Sequence, residues 1–139
     1  MELHRGRLID HIQLVVRDIA ASKRFYKAVF EVLGIPPGGE ADDHLWADEL
    51  FISARESDAA LGQLTGRAHI AFQGKDRATV QRFYHAALAA GGRDFGAPGE
   101  RKYHPGYYGA FVLDPDGNNI EVVFHGPATK SAESVQVSF

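Results

Sequence analysis

The sequence predicts an α+β protein built from two βαβββ modules, whose mixed sheets are cup-shaped and carry their helices on the outer face. Three observations support this: a stretch that recurs 58 positions later, alternating apolar residues at the start of each copy, and a helical pattern after them. His11 falls on His69, and the Arg-Phe-Tyr of residues 24–26 falls on that of residues 82–84, without a gap. Such a series indicates a duplicated module.

The two copies set the expected boundaries. A single domain is predicted over residues 8–126, with modules at 8–60 and 66–126. The polar end at 127–139 is expected to be a C-terminal tail or an exchanged arm. A chain of 139 residues with 45% hydrophobic and 24% charged residues is ordinary for one globular domain with a core.

Each module opens with a strand that carries a histidine on its less apolar side. In the first copy the apolar face consists of Ile12, Leu14 and Val16. Because side chains alternate along a strand, His11 and Gln13 lie on the opposite face, and His69 occupies the equivalent place in the second copy.

A helix follows each opening strand. Asp18 and Asp76 are the expected N-caps, apolar residues recur after them at helical spacing, and glycine follows both helices. The apolar sides of these helices can cover the apolar strand faces.

Alternation returns at residues 44–54 and 108–124, which predicts a hairpin in each module. The turn of the second hairpin is Asp-Pro-Asp-Gly at 114–117, where proline presets one backbone angle and glycine accepts positive φ. Further strands are expected near residues 35–42 and 94–100.

Composition excludes several classes of partner, chemistry and location. A net charge of −3 and a pI near 6.1 give no basic surplus, so a nucleic-acid partner is not expected. The chain has no cysteine, which excludes thiolate chemistry, and no apolar stretch has the length of a membrane span. A cytoplasmic protein is therefore expected.

The last strand places a carboxylate beside the two histidines. Ile120 and Val122 face the helices, so Glu121 faces away from them, as do His11 and His69. Two imidazoles and one carboxylate suit one divalent metal ion, such as Zn, Fe, Mn or Ni, and leave coordination positions open.

Four further residues are candidates for contact with a small-molecule substrate. Gln13 can donate or accept a hydrogen bond beside the metal, or it can be a solvated strand residue. Trp46, Tyr103 and Tyr108 can supply aromatic walls and a phenolic donor, although tyrosines beside proline and glycine also pack loops.

The strand openings "DHIQLVV" and "AHIAF", the helix "SKRFYKAVFEVLG" and the segment "FVLDPDGNNIEVVF" closely resemble the vicinal oxygen chelate superfamily. This group includes glyoxalase I, fosfomycin thiol transferases, extradiol dioxygenases and bleomycin-resistance proteins. The resemblance implies that His11, His69 and Glu121 are metal ligands. It also implies a homodimer in which the ligands come from one or both subunits.

The sequence departs from glyoxalase I at a fourth ligand, which that enzyme carries on the last strand of its first module. Here that strand reads "LFISA", and neither of its faces offers Glu or Gln. Ser53 is the expected occupant, with Glu49 as the alternative, and no general base is assigned.

The resemblance implies a metal-dependent, glyoxalase-like enzyme that stabilises an oxyanion on a chelated substrate, as lyase or isomerase, thiol transferase or dioxygenase. The alternative is a metal-free protein that binds or sequesters a small molecule, as bleomycin-resistance proteins do. A third possibility is a degenerate member whose metal site has lost its affinity.

Overall fold

A computed structural model describes residues 2–58, 60 and 62–139. The first half contains β1 Glu2–Arg5, β2 Ile12–Val16, α1 Ile19–Leu33, β3 Gly39–Ala41, β4 His44–Ala47 and β5 Leu50–Ala54. The second half contains β6 His69–Gln73, α2 Arg77–Ala89, β7 Arg93–Glu100, β8 Tyr108–Leu113, β9 Asn119–Phe124 and β10 Val135–Ser138.

The two modules form matching sheets. Their strand orders are β2-β5-β4-β3 and β6-β9-β8-β7. In each sheet the opening strand runs parallel to the last strand of its module, and the other pairs are antiparallel. The predicted α+β fold of two βαβββ modules is therefore confirmed.

Each helix begins directly after its predicted N-cap residue. The Asp18 side chain accepts a hydrogen bond from the Ala21 amide, and Asp76 accepts one from the Thr79 amide. Helix α1 ends at Gly34, whose φ of 71° is the left-handed conformation that glycine adopts without strain. Helix α2 ends differently, since its C-terminal cap is Ala90 and not a glycine.

The helices contact each other and cover the apolar faces of the sheets. One hydrophobic cluster runs through both modules and includes Leu14, Phe25, Phe83 and Ile120. Burial of each such side chain contributes about 1.5–3 kcal/mol, so the apolar strand faces fix which sides of the sheets stay outside the core.

The predicted C-terminal tail, residues 127–139, contains a strand that is paired. Strand β10 pairs antiparallel with β1, so that Glu2 lies opposite Ser138 and Arg5 opposite Val135. This two-stranded ribbon joins the two ends of the described chain. Neither helix is long and apolar enough to cross a membrane, within the described residues.

Candidate functional site

The second sheet brings His69 and Glu121 into contact. Glu121 lies on β9 between Ala71 of β6 and Phe111 of β8, on the face away from the helices. Its exposure is only 2%, and its Oε1 atom lies 3.2 Å from Nε2 of His69. A carboxylate this buried is stable only with hydrogen-bonding or cationic partners.

The tautomer of His69 decides what its Nε2 atom can do. Nδ1 of this ring lies 3.0 Å from the carbonyl oxygen of Asn119. Because a carbonyl only accepts hydrogen bonds, Nδ1 carries the proton and donates it. Nε2 of the neutral ring then directs a lone pair at the Glu121 carboxylate, and a cation or a proton between them removes the repulsion.

Tyr107 holds the other oxygen of this carboxylate. Its hydroxyl donates a hydrogen bond to Oε2 of Glu121. Burial raises the pKa of the Tyr107 phenol, and the bond to Glu121 raises it further, so the group stays a donor at neutral pH. The ring meets both His104 and His125 edge-on, with centroids 5.4 Å away in each case, and these two histidine rings stack on each other at 5.1 Å.

Tyr103 and Tyr108 are the predicted substrate contacts, and the structure places neither of them against Glu121. Tyr108 is 8% exposed, belongs to the hydrophobic cluster and accepts a hydrogen bond from Gln81 of α2. Alternation therefore turns Tyr108 toward the helix and away from Glu121. Tyr103 is 72% exposed and packs against the Tyr107 ring at 4.8 Å, so neither predicted tyrosine contacts the carboxylate.

The first sheet carries His11 immediately before β2. Nδ1 of His11 lies 2.7 Å from the Asp10 carboxylate, which fixes the ring and leaves Nε2 for another partner. Its ring also meets Phe51 edge-on, with centroids 6.3 Å apart. The side chain is 60% exposed, so Nε2 is accessible from outside the chain.

Cross-strand register decides what replaces the fourth ligand. Gln13 pairs with Phe51 in the first sheet, and Ala71 pairs with Glu121 in the second. Gln13 and Ala71 are equivalent in the repeat. Phe51 therefore occupies the position equivalent to Glu121, and the expectation that Ser53 would do so is wrong.

Ser53 lies two residues further along the same face. It pairs with Val15, and its hydroxyl accepts a hydrogen bond from Gln13 at 3.2 Å. Glu49 precedes β5, where its backbone carbonyl accepts from the Ile12 amide. Gln13 and Trp46 lie on the same face as Phe51, and Trp46 stacks on the Phe51 ring.

One chain brings together two of the three predicted ligands. His11 contacts Asp10 and Phe51 on the first sheet, while His69 and Glu121 meet on the second. No group of three or more His, Cys, Asp or Glu side chains suited to a metal ion occurs within the part of the chain that the structure describes. The donor types nevertheless fit a divalent cation, because each imidazole has its Nδ1 anchored and its Nε2 free of a backbone partner.

A cavity of about 810 Å³ is lined by Ile12, Ile70 and Ala71, which are neighbours of the candidate ligands, but not by the ligands themselves. It is bounded by the β1–β10 ribbon, the C-terminal end of α1 and strand β6, and its walls include neither His69 nor Glu121. The side chains that can bind a metal ion, and not this cavity, therefore define the candidate site.

The family model for the Glyoxalase/Bleomycin resistance protein/Dioxygenase superfamily matches residues 8–122. The chain belongs to this superfamily. Members of the superfamily commonly bind a divalent metal ion and small-molecule substrates, and they often form dimers. Among curated proteins, none matches the sequence.

Solved structures share the glyoxalase/bleomycin-resistance fold. A glyoxalase/bleomycin resistance protein from Albidiferax ferrireducens T118 is 26% identical, with 84% of this chain and 97% of that chain covered and a TM-score of 0.69. A glyoxalase-related enzyme from Fulvimarina pelagi is 20% identical, with 95% and 98% covered and a TM-score of 0.71. A lactoylglutathione lyase from Agrobacterium tumefaciens is 19% identical, with 85% and 93% covered and a TM-score of 0.59, which shows the fold alone.

Proposed function

We propose that this protein is a divalent-metal-dependent enzyme of the vicinal oxygen chelate type that acts on a small molecule with adjacent oxygens. The contact between His69 and Glu121 carries the proposal, because an imidazole lone pair and a buried carboxylate oxygen face each other across 3.2 Å. This arrangement is the pair of donors that a divalent cation would join.

The third ligand, His11, would come from a second copy of the chain. His11 is exposed and oriented by Asp10, and it lies on the other sheet from His69 and Glu121. A symmetric dimer that places the first sheet of one protomer beside the second sheet of its partner would build two such sites. The first module would then supply a histidine, and the second module a histidine and a carboxylate.

The protein's own groups have separable tasks in this site. A bound divalent ion would supply Lewis acidity toward a substrate oxygen. Tyr107 keeps one oxygen of Glu121 occupied, so that the other oxygen points toward His69. Gln13 and Ser53 offer a neutral hydrogen-bonding pair on the first sheet, and Phe51 stands where a fourth protein ligand would otherwise be.

The same contact favours one competing function. A proton on Nε2 of His69 would turn the contact into an imidazolium–carboxylate ion pair, and the protein would then be a metal-free binder of small molecules. Lyase or isomerase, thiol transferase and dioxygenase activities all remain candidates if the metal binds, with Zn, Fe, Mn or Ni as the ion.

Metal analysis of protein purified without chelator tests the proposal. We expect about one ion per chain in the wild type, and loss of the ion in His69→Ala and Glu121→Gln. His85→Ala, which changes an exposed histidine on α2, is the control and should keep its metal. Wild-type protein that contains no metal and takes none up from Zn, Fe, Mn or Ni would establish the metal-free alternative.

A further inference from the structure

Trp46 and Phe51 form a rigid aromatic wall on the first sheet. They lie directly opposite each other on β4 and β5, with ring centroids 5.5 Å apart and planes only 5° from parallel. Trp46 also lies against the backbone at the start of β3, where a Cβ atom at Gly38 would come within 2.3 Å of the ring and one at Gly39 within 2.5 Å. The glycines therefore allow the indole to rest on the backbone, which fixes its orientation.

The second face of Phe51 is turned toward β2. Strand β5 lies between β4 and β2, and Trp46 already covers the β4 side of the ring. On the β2 side are Gln13, whose amide is bonded to Ser53, and His11, which meets Phe51 edge-on. His44 on β4 also lies 6.4 Å from the Phe51 ring, with the planes 31° apart, and Phe51 stays partly exposed, so part of the ring is accessible to a ligand.

The position of the wall relates it to the candidate metal site. Phe51 is the counterpart of Glu121 in the other sheet, so an apolar ring stands at a position where the repeat would place a carboxylate. A phenyl ring in place of a carboxylate removes a donor oxygen and supplies a flat π surface beside His11, which is a candidate metal ligand. Aromatic rings associate through offset or edge-on contacts with such a surface, which a puckered saturated ring cannot reproduce.

We infer that Phe51, supported by Trp46, is a subsite for a planar conjugated ring of the substrate, which stacks on the accessible part of the Phe51 ring with its oxygens toward His11. This inference deepens the proposed function, on which it rests for the role of the oxygens. Recognition of the ring itself needs no metal ion. The substrate class is thus a molecule with an aromatic or other planar conjugated ring that carries vicinal oxygens.

Trp46 is the single tryptophan of the chain, so its indole N–H gives one NMR signal that reports directly on the wall. Chelator-treated protein is titrated with 1-phenylethane-1,2-diol and, separately, with 1-cyclohexylethane-1,2-diol. Both probes carry the same vicinal oxygens, and only the first has a planar ring. We expect a saturable shift of the indole signal with the phenyl compound and a several-fold weaker response with the cyclohexyl compound.

Phe51→Leu should weaken binding of the phenyl compound by about two- to tenfold, because it removes the π surface and keeps an apolar side chain. Phe95→Leu changes an exposed aromatic residue on β7 and should leave the titration unchanged. If Phe51→Leu does not fold, the comparison of the two diols in the wild type still decides the matter.

Equal responses to the two diols, or no response to either, would overturn the subsite. Metal analysis of the untreated protein is a separate measurement. A protein that binds metal and ignores the phenyl ring would refute this inference alone, whereas one that stacks the ring and binds no metal would refute the proposed enzyme and leave the ring subsite standing.

Discussion

At the scale of single residues, the oxygens of Glu121 are assigned to different partners. Oε2 accepts from the Tyr107 hydroxyl, and Oε1 faces His69. A hydrogen-bonding partner of a ligand commonly fixes its orientation and tunes its affinity for the ion. Tyr107 is therefore a positioning residue in the proposed site, although it is not itself a ligand.

Tyr107→Phe should weaken the affinity for the divalent ion by about 10- to 100-fold, since the Glu121 carboxylate loses the donor that orients it. The dissociation constant can be measured by competition with a chelating dye. Tyr103→Phe is the matched control, because Tyr103 packs against the same ring without contacting Glu121. Equal losses in the two variants would show that the loop acts only as packing.

At the scale of the elements, helix α1 is tied to the turn between β8 and β9. The Tyr26 hydroxyl donates to Asp114, whose carboxylate also accepts from the Asp116 amide and from the amide and side chain of Asn118. Burial, followed by the nearby Asp114 charge, raises the pKa of the Tyr26 phenol well above its ordinary value. This bond connects the first module to the second.

Tyr26→Phe should lower the free energy of unfolding by about 1–3 kcal/mol, because the buried Asp114 loses one of its donors. Tyr84, the counterpart of Tyr26 in the repeat, provides the control. It is only partly buried, and Tyr84→Phe should cost clearly less. Urea denaturation of both variants measures the difference, and equal costs would contradict the assigned role of the Tyr26 bond.

The cap of α2 predicts a pH dependence of stability. Hydrogen bonds from the side chain and amide of Thr79 lower the pKa of Asp76 in the folded state. A group whose pKa is lowered by folding adds stability above its unfolded pKa of about 3.9, and that stability is lost as the pH falls through the folded value. The contribution should therefore disappear in acid, below about pH 4.

Asp76→Asn keeps a capping oxygen and removes the titration. The stability of this variant, measured by urea denaturation between neutral and acid pH, should fall less on acidification than that of the wild type. Asp58→Asn, which changes an exposed aspartate outside the helices, should follow the wild type. If the free energy of unfolding falls equally with pH in Asp76→Asn and in the wild type, the cap is ruled out as a source of the pH dependence.

At the scale of the whole molecule, the two modules share one hydrophobic cluster, while their outward faces carry different parts of the candidate site. His11 immediately precedes β2 of the first sheet, and His69 and Glu121 belong to the second sheet. A complete set of three ligands is therefore expected only when two chains associate, and mixing experiments can test this expectation.

His11→Ala and Glu121→Ala should each bind little metal as separate proteins. After co-refolding, half of the dimers are mixed, and each mixed dimer has one intact site, so metal should return to roughly a quarter of the wild-type amount per chain. Metal analysis of the mixture makes the measurement. Failure to recover metal in a mixture shown by mass spectrometry to contain mixed dimers would place all ligands within one chain.

The sequence by itself determined the features that depend on local periodicity. The repeat predicted two equal modules, alternation turned Glu121 away from the helices, and Asp18 and Asp76 marked the helix starts. These features follow from neighbours in the chain, because strand alternation and helix capping act over a few residues.

Only the tertiary structure decided which residues meet across strands and loops. Alternation placed Phe51 and Ser53 on one face, but the pairing of β2 with β5 selected Phe51 as the counterpart of Glu121. The conformation of the loop before β8 brings Tyr107, and not Tyr103 or Tyr108, to Glu121. The separation of the two sheets keeps His11 apart from the His69–Glu121 pair within one chain. The physical reason is that register, loop closure and sheet placement depend on contacts between distant segments, which local residue patterns do not encode.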